Sequence, residues 1–263
     1  MKNPKLICSI IVMALAITTC VCVFAFDSRL TSVKEANLRE LIKQNVIGNI
    51  THRKYISQAK ASGIEEVAYD EYKQIWEKDQ NNFYTNLRFG MAARNYYMKI
   101  AYPNRLSVTQ KDKKKLRVLK YATDCLNNAV QIDPKSSEAN SELGNHLFFP
   151  VGRTQEGFRY LEKAVKLDPN NPEANAILGE RIGYPGNNPE GLQRAIRLKK
   201  KAIELDPSYA YPHLSLSRQY LFMKRYDDAE AELHKYFELA PSKARDMYWV
   251  EIIQDSLAKN KKK

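Results

Sequence analysis

A recurring proline break constrains the fold of this chain more than any other feature of its sequence. Asp133-Pro134, Asp168-Pro169, Asp206-Pro207 and Ala240-Pro241 each close an apolar helical stripe, and the prolines stand 35, 38 and 34 residues apart. The stretch EKAVKLDPNNPEANAILGE (162–180) shows the device in full. Proline disfavours α geometry for the residue before it, so the helix ends at or before Asp168. Asn171 is then placed as an N-cap, with Pro172 at the first helical position. Asn188-Pro189-Glu190 repeats the device, and Asp227 with Glu230 has the form of a capping box. Each unit therefore reads as two antiparallel helices joined by a short turn. Its apolar faces are too narrow to fold alone, so neighbouring units must stack.

The residues inside each unit carry a resemblance. Residues 137–171 place Leu143, Gly144 and Leu147 on a first helix, then Gly157, Leu161 and Ala164 before Pro169. In 172–209 the series is Leu178, Gly179 and Ile182, then Ala195 and Ala202 before Pro207. In 210–243 it is Leu216, Ser217 and Tyr220, then Ala229, Leu233 and Tyr236 before Pro241. An earlier unit pairs Phe89, Gly90 and Ala93 with Ala122, Leu126, Ala129 and Pro134. This pattern resembles the tetratricopeptide repeat, in which small residues mark close helix crossings and large ones fill the groove between them. The resemblance covers 83–243 and implies an all-α solenoid of stacked helix hairpins.

Several positions depart from the pattern. The fourth position of the first helix, usually bulky, carries Asn86, Asn140, Asn175 and His213. Lys199 stands where 172–209 should present a large apolar residue, so loose packing is expected there. Enlarged inter-helix loops are expected at 102–114, 148–157 and 183–191, each opened by an aromatic-Pro pair. Residues 51–82 read as two helices broken at Gly63, a degenerate first repeat with Ala68, Tyr72 and Ile75 on its second helix. Residues 244–263 read as a capping helix bearing Met247, Trp249, Val250, Ile253 and Leu257, followed by a basic tail.

The N-terminus is of a different kind. Residues 6–26 form a run of 21 uncharged, mostly apolar residues behind Lys2 and Lys5. As a helix, such a run can cross about 30 Å of hydrocarbon. Residues 1–26 are thus a transmembrane anchor, or a signal peptide cut after the small residues of Val23-Phe24-Ala25. A lipidated Cys20 is a further alternative, although Thr19 fits a lipobox poorly. Residues 27–50 would form a helical spacer between membrane and solenoid. Lysines and arginines flank the run on both sides, so charge barely orients it. The likeness to export signals places the bulk of the chain outside the cytoplasm.

Nothing in the sequence points to catalysis. There is no HExxH, GxSxG, phosphate-binding loop or GxGxxG followed by an acid. The four histidines, at 52, 146, 213 and 234, lack metal-ligand spacing, and no cofactor or metal is expected. His146 and His213 read as packing residues. Cys8, Cys20 and Cys22 lie in the apolar run, leaving Cys125 as a buried inert thiol among apolar helix positions. Glu138, Glu173 and Glu190 sit in first turns, where carboxylates meet the helix dipole favourably. The formal charge of +12 suits an acidic partner or anionic lipid. The basic runs 111–120 and 194–201 lack interleaved aromatics, so nucleic acid is not indicated.

The resemblance also implies a function. In such arrays the first helices line a concave groove that commonly holds a peptide or partner segment. Its positions here include Tyr84, Leu87, Met91 and Arg94, then Ser141, Asn145 and Phe148, then Glu180, then Tyr211, Leu214, Arg218 and Leu221. The set does not reproduce the Lys/Asn/Arg clamp that some cochaperones close on a partner's terminal carboxylate. The reading is a non-catalytic adaptor for a protein or peptide partner, membrane-anchored or exported. The alternative is a basic surface that binds anionic lipid or another polyanion.

Overall fold

The computed structural model describes residues 40, 65–101, 112–183, 189–240 and 247–260. Among these, every regular element is helical. They are α1 (Glu65–Lys78), α2 (Phe83–Ala101), α3 (Lys113–Ile132), α4 (Ser137–His146), α5 (Thr154–Leu167), α6 (Pro172–Ile182), α7 (Pro189–Leu205), α8 (Ala210–Phe222), α9 (Tyr226–Leu239) and α10 (Met247–Asn260). The anchor or signal at 1–26, the spacer and the first half of 51–82 lie outside the described residues, apart from helical Glu40. No helix among the described residues is long and apolar enough to cross a membrane.

Consecutive helices pair as α2 with α3, α4 with α5, α6 with α7, and α8 with α9. Each second helix packs on the first helix of the next unit, and first helices touch their counterparts, so the units form one row. Helix α1 packs on α2, while α10 packs on α8 and α9. The core is accordingly divided along the row. Tyr72, Phe89, Tyr96 and Ala122 fill its start, and Leu87, Met91, Leu126 and Leu143 fill the next space. Leu161, Leu178, Ile182 and Ala195 form a small middle cluster, and Leu216, Tyr220, Leu233, Val250, Ile253 and Leu257 close the far end.

The three Asp-Pro breaks turn in the same way. Asp133, Asp168 and Asp206 each accept, through Oδ1, the backbone N–H two residues on, at 2.9–3.0 Å. This Asx turn carries the chain around the proline. Two of the next helices start on a capping side chain: Ser136 Oγ accepts from Ala139 N at 3.1 Å, and Asn171 Oδ1 accepts from Ala174 N at 3.0 Å, whereas Tyr209 before α8 offers none.

The fourth-position asparagines explain themselves here. Asn140 Nδ2 donates back to Pro134 O and Ser136 O at 3.2 and 2.7 Å. Asn175 Nδ2 does the same to Pro169 O and Asn171 O at 3.0 and 2.8 Å, and Asn86 to Gln80 O and Asn82 O at 2.6 and 2.8 Å. A bulky residue would fill this corner by volume. The amide fills it by donating to a turn carbonyl, that of Pro134, Pro169 or Gln80, and by sharing the carbonyl that already accepts its own backbone N–H.

Within a hairpin the backbones meet where the small residues stand. A Cβ on Gly144 would lie 2.8 Å from the carbonyl oxygen of Gly157, and one on Gly157 would lie 2.7 Å from that of Gly144. Both obstacles are backbone, so neither side can yield by rotating a side chain.

Three expectations need correction. Asp227 and Glu230 do not form a capping box: α9 begins at Tyr226, Arg225 holds the cap position, and its guanidinium binds Asp228 at 2.7 Å. The loop expected over 148–157 is shorter than that, because α5 begins at Thr154, with the chain bending at extended Phe149 and left-handed Gly152 just before it. The Gly144–Gly157 crossing requires that early start. Met247 is exposed on α10, whose packed face is Val250, Ile253 and Leu257. The rest of the loops at 102–114 and 183–191 falls mainly outside the described residues.

Replacing Asn175 or Asn140 by alanine should lower stability by about 1–3 kcal/mol, since each buried amide gives up two hydrogen bonds to the turn before it. Gly144→Ala should cost a similar amount through overpacking, about 1–3 kcal/mol. Urea melts of the full chain measure both; unchanged midpoints would show that these contacts do not hold the turns and crossings.

Candidate partner groove

The first helices α2, α4, α6 and α8 lie side by side, and polar side chains stitch them across the row. Arg88 of α2 grips Glu138 of α4 with both terminal nitrogens. Arg94 of α2 meets Glu142 of α4 at 2.5 Å. Arg181 of α6 donates to Asn145 Oδ1 of α4 from Nε and Nη2, at 3.1 and 2.6 Å. Arg218 of α8 meets Glu180 of α6 at 2.9 Å. Glu138 thus does more than meet a helix dipole. It anchors a bidentate guanidinium pair, the stronger kind of ion pair.

The groove positions named from the sequence divide by exposure. Leu87, Met91, Ser141 and Leu214 are buried between helices, and Arg94 and Glu180 are buried in the ion pairs just described. Tyr84 and Tyr211 are exposed, at 46% and 37%, while Asn145, Phe148, Arg218 and Leu221 are half-buried. Those six present surface that a partner can reach. Aromatic rings back two of the arginines: the Arg181 guanidinium lies 5.1 Å from the Phe148 ring centre, and that of Arg218 lies 3.9 Å from the Trp249 ring centre on α10.

Lys199 overturns the expectation of loose packing. It is 2% exposed, and Nζ donates to Gln219 Oε1 at 2.7 Å and Ser215 O at 3.4 Å, with Glu180 Oε2 at 3.9 Å. Its long stem fills the space where an apolar residue was expected, and its amine crosses from α7 to α8. Gly183 lies against this network: a Cβ there would collide with Gln219 Oε1 and approach Nζ to 3.0 Å. Burial pushes the Lys199 amine down to about 8, against the opposing pull of Glu180. For Glu180, burial pushes upward, but Arg218, Lys199 and the Ser215 hydroxyl together hold it below the usual carboxylate value. Periodicity could not reveal this cluster; the only signal was a lysine at an apolar position.

The other titratable groups behave as packing residues. His146 is buried, with Nε2 at 2.8 Å from Thr123 Oγ1. Burial, reinforced by Arg94, pushes it down to about 3, so it stays neutral. His213 Nδ1 lies 2.6 Å from Glu232. Cys125 is buried and its thiol is pushed up to about 12 by burial, as an inert cysteine should be. No group of histidine, cysteine and carboxylate side chains among the described residues could hold a metal ion.

This architecture has counterparts of known structure. TTC0263, a thermophilic TPR protein of Thermus thermophilus, is similar with a TM-score of 0.57 and 16% identity, over 85% of this chain and 99% of that one. PilW, described as a widely conserved type IV pilus biogenesis factor, is similar with a TM-score of 0.52 and 18% identity, over 78% and 84%. No protein-family model and no curated protein matches the chain. The fold is that of the tetratricopeptide-repeat proteins.

The buried lysine makes a signed prediction. Its folded pKa lies below its unfolded value of 10.5, so between about pH 8 and pH 10.5 the unfolded chain binds more protons. Stability from this group therefore rises with pH across that window, by about 3 kcal/mol in all. Lys199→Met should abolish the rise, and at pH 7 it should cost stability, because buried Gln219 Oε1 loses its donor and Glu180 one of its cations. Urea melts of both proteins at a series of pH values test this; an identical rise in the variant would assign it elsewhere.

Proposed function

We propose that this chain is a non-catalytic adaptor that holds a segment of a protein partner along the groove of its first helices. The observation that carries this reading is the unbroken row of α2, α4, α6 and α8, locked together by ion pairs and by the Arg181–Asn145 hydrogen bonds, with reachable aromatic and polar groups left over. The locking matters because a groove ordered in advance spares the partner the entropy of shaping it. Tyr84 and Tyr211 are the anchors at its two ends, since tyrosine supplies contact area with few torsions to freeze. The apolar run at 6–26 supports a membrane-anchored or exported protein, with the groove outside the cytoplasm.

Binding of anionic lipid or another polyanion is the second reading, favoured by the exposed Lys113, Lys114, Arg117 and Lys120 on α3. Part of that charge is already offset, because Lys120 pairs with Asp124, and Lys114 lies 3.4 Å from Glu66.

Crosslinking in intact cells, followed by identification of the captured protein, supplies the partner. Tyr84→Ala combined with Tyr211→Ala should then weaken its binding by about tenfold, the loss expected for two modest anchors. Raising salt from roughly 0.05 M to 0.2 M should change affinity only a few-fold, whereas polyanion binding would fall steeply. An unaffected tyrosine double variant with steep salt dependence would favour the second reading. The intact mass should retain residues 1–26; loss of residues 1–25 would make the mature protein exported rather than anchored.

A further inference from the structure

The ladder across the first helices has one rung unlike the others. Arg88, Arg94 and Arg218 each meet a carboxylate, on Glu138, Glu142 and Glu180. Arg181 meets only a neutral amide, that of Asn145. Among the described residues its guanidinium has no ion-pair partner, and Nη1 has no hydrogen-bond partner. Glu180, the acid beside it in the chain, feels the charge of Arg181 but is already committed to Arg218, Ser215 and Lys199. The seam thus gathers Arg181, Lys199 and Arg218 around a single carboxylate. Arg181 is half-buried, fixed at Nε and Nη2, and backed by the Phe148 ring, so its unused nitrogen is held in place at the groove.

We propose that the partner supplies the missing carboxylate: the groove binds an extended acidic segment, and an Asp or Glu side chain of that segment pairs with Arg181 beside Phe148. This deepens the groove reading above and rests on it. Charge complementarity selects the ligand class. A fixed guanidinium with a free N–H favours a carboxylate over a neutral amide, and an apolar ring beside it favours the acid's methylene stem. The row of first helices continues past Arg181 in both directions, to α2 and to α8, which suits a side chain of a through-running segment rather than a chain terminus. Asn145 sets the specificity by leaving the rung uncharged. A glutamate there would complete the ladder from within.

The test uses the full-length chain in detergent micelles and an array of short peptides, acetylated and amidated so that only side chains carry charge. The strongest binders are resynthesised with each acidic residue replaced by glutamine, and affinities are read by fluorescence anisotropy. One Glu→Gln change should weaken binding to the wild type by about tenfold, the worth of one charge-assisted pair. The same change should matter less than about twofold for Arg181→Gln and for Asn145→Glu, whose own carboxylate would occupy the guanidinium. The wild-type comparison needs no variant, so a misfolded variant does not spare the proposal. Binders without acids, or acid-to-glutamine changes that weaken wild type and variants equally, would overturn the acidic-segment proposal and leave the groove reading standing. An array with no binder at all would overturn the groove reading and this proposal with it.

Discussion

A single helix hairpin of this chain cannot hide its apolar surface, and everything else follows from that shortage. The first helix presents one face to its own partner and another to the unit beside it, so each unit completes its neighbour. Leu87 and Met91 show the point: they belong to α2 yet are buried with Leu143 of α4. The ends of the row need covers for the same reason. Helix α10 puts Val250, Ile253 and Leu257 over the far end, and α1 lays Tyr69 and Tyr72 on α2. Close approach within the hairpin and lateral burial between hairpins are one requirement seen twice. The Gly144–Gly157 contact brings α4 and α5 near enough for Leu161 to reach the middle of the row.

Much of this was legible from spacing alone. The Asp-Pro breaks, the small residues at the crossings and the Asn171 cap all occupy the places their chemistry suggests, because each acts within a few residues of its own position. Cys125 and His146 likewise read correctly as buried, since helical periodicity assigns burial. What spacing could not show is chemistry that acts between units. The fourth-position asparagines looked like departures because spacing shows that they recur but not which turn carbonyls they bind. Lys199 looked like a flaw because its partners, Gln219, Ser215 and Glu180, come from two other helices. The capping box at Asp227 failed for a smaller reason: helix α9 starts one residue before it, with Arg225 turned onto Asp228.

The candidate groove was less legible than the fold. Helix position says which residues face the concave side, but not which are consumed by the row itself. Arg94, Glu180, Leu87 and Leu214 are spent on holding helices together. Tyr84, Asn145, Phe148, Tyr211, Arg218 and Leu221 keep surface toward solvent. Counting rungs across units, rather than positions within one, separates Arg181 from its fellows.

The division of the core carries one more consequence. The apolar cluster between α5 and α7 is the smallest of the row, and next to it the seam between α6 and α8 is held by charges around Glu180 and Lys199. A guest seated on the uncommitted arginine would therefore bridge α4 and α6 beside the stretch of the row with the fewest buried apolar residues of its own.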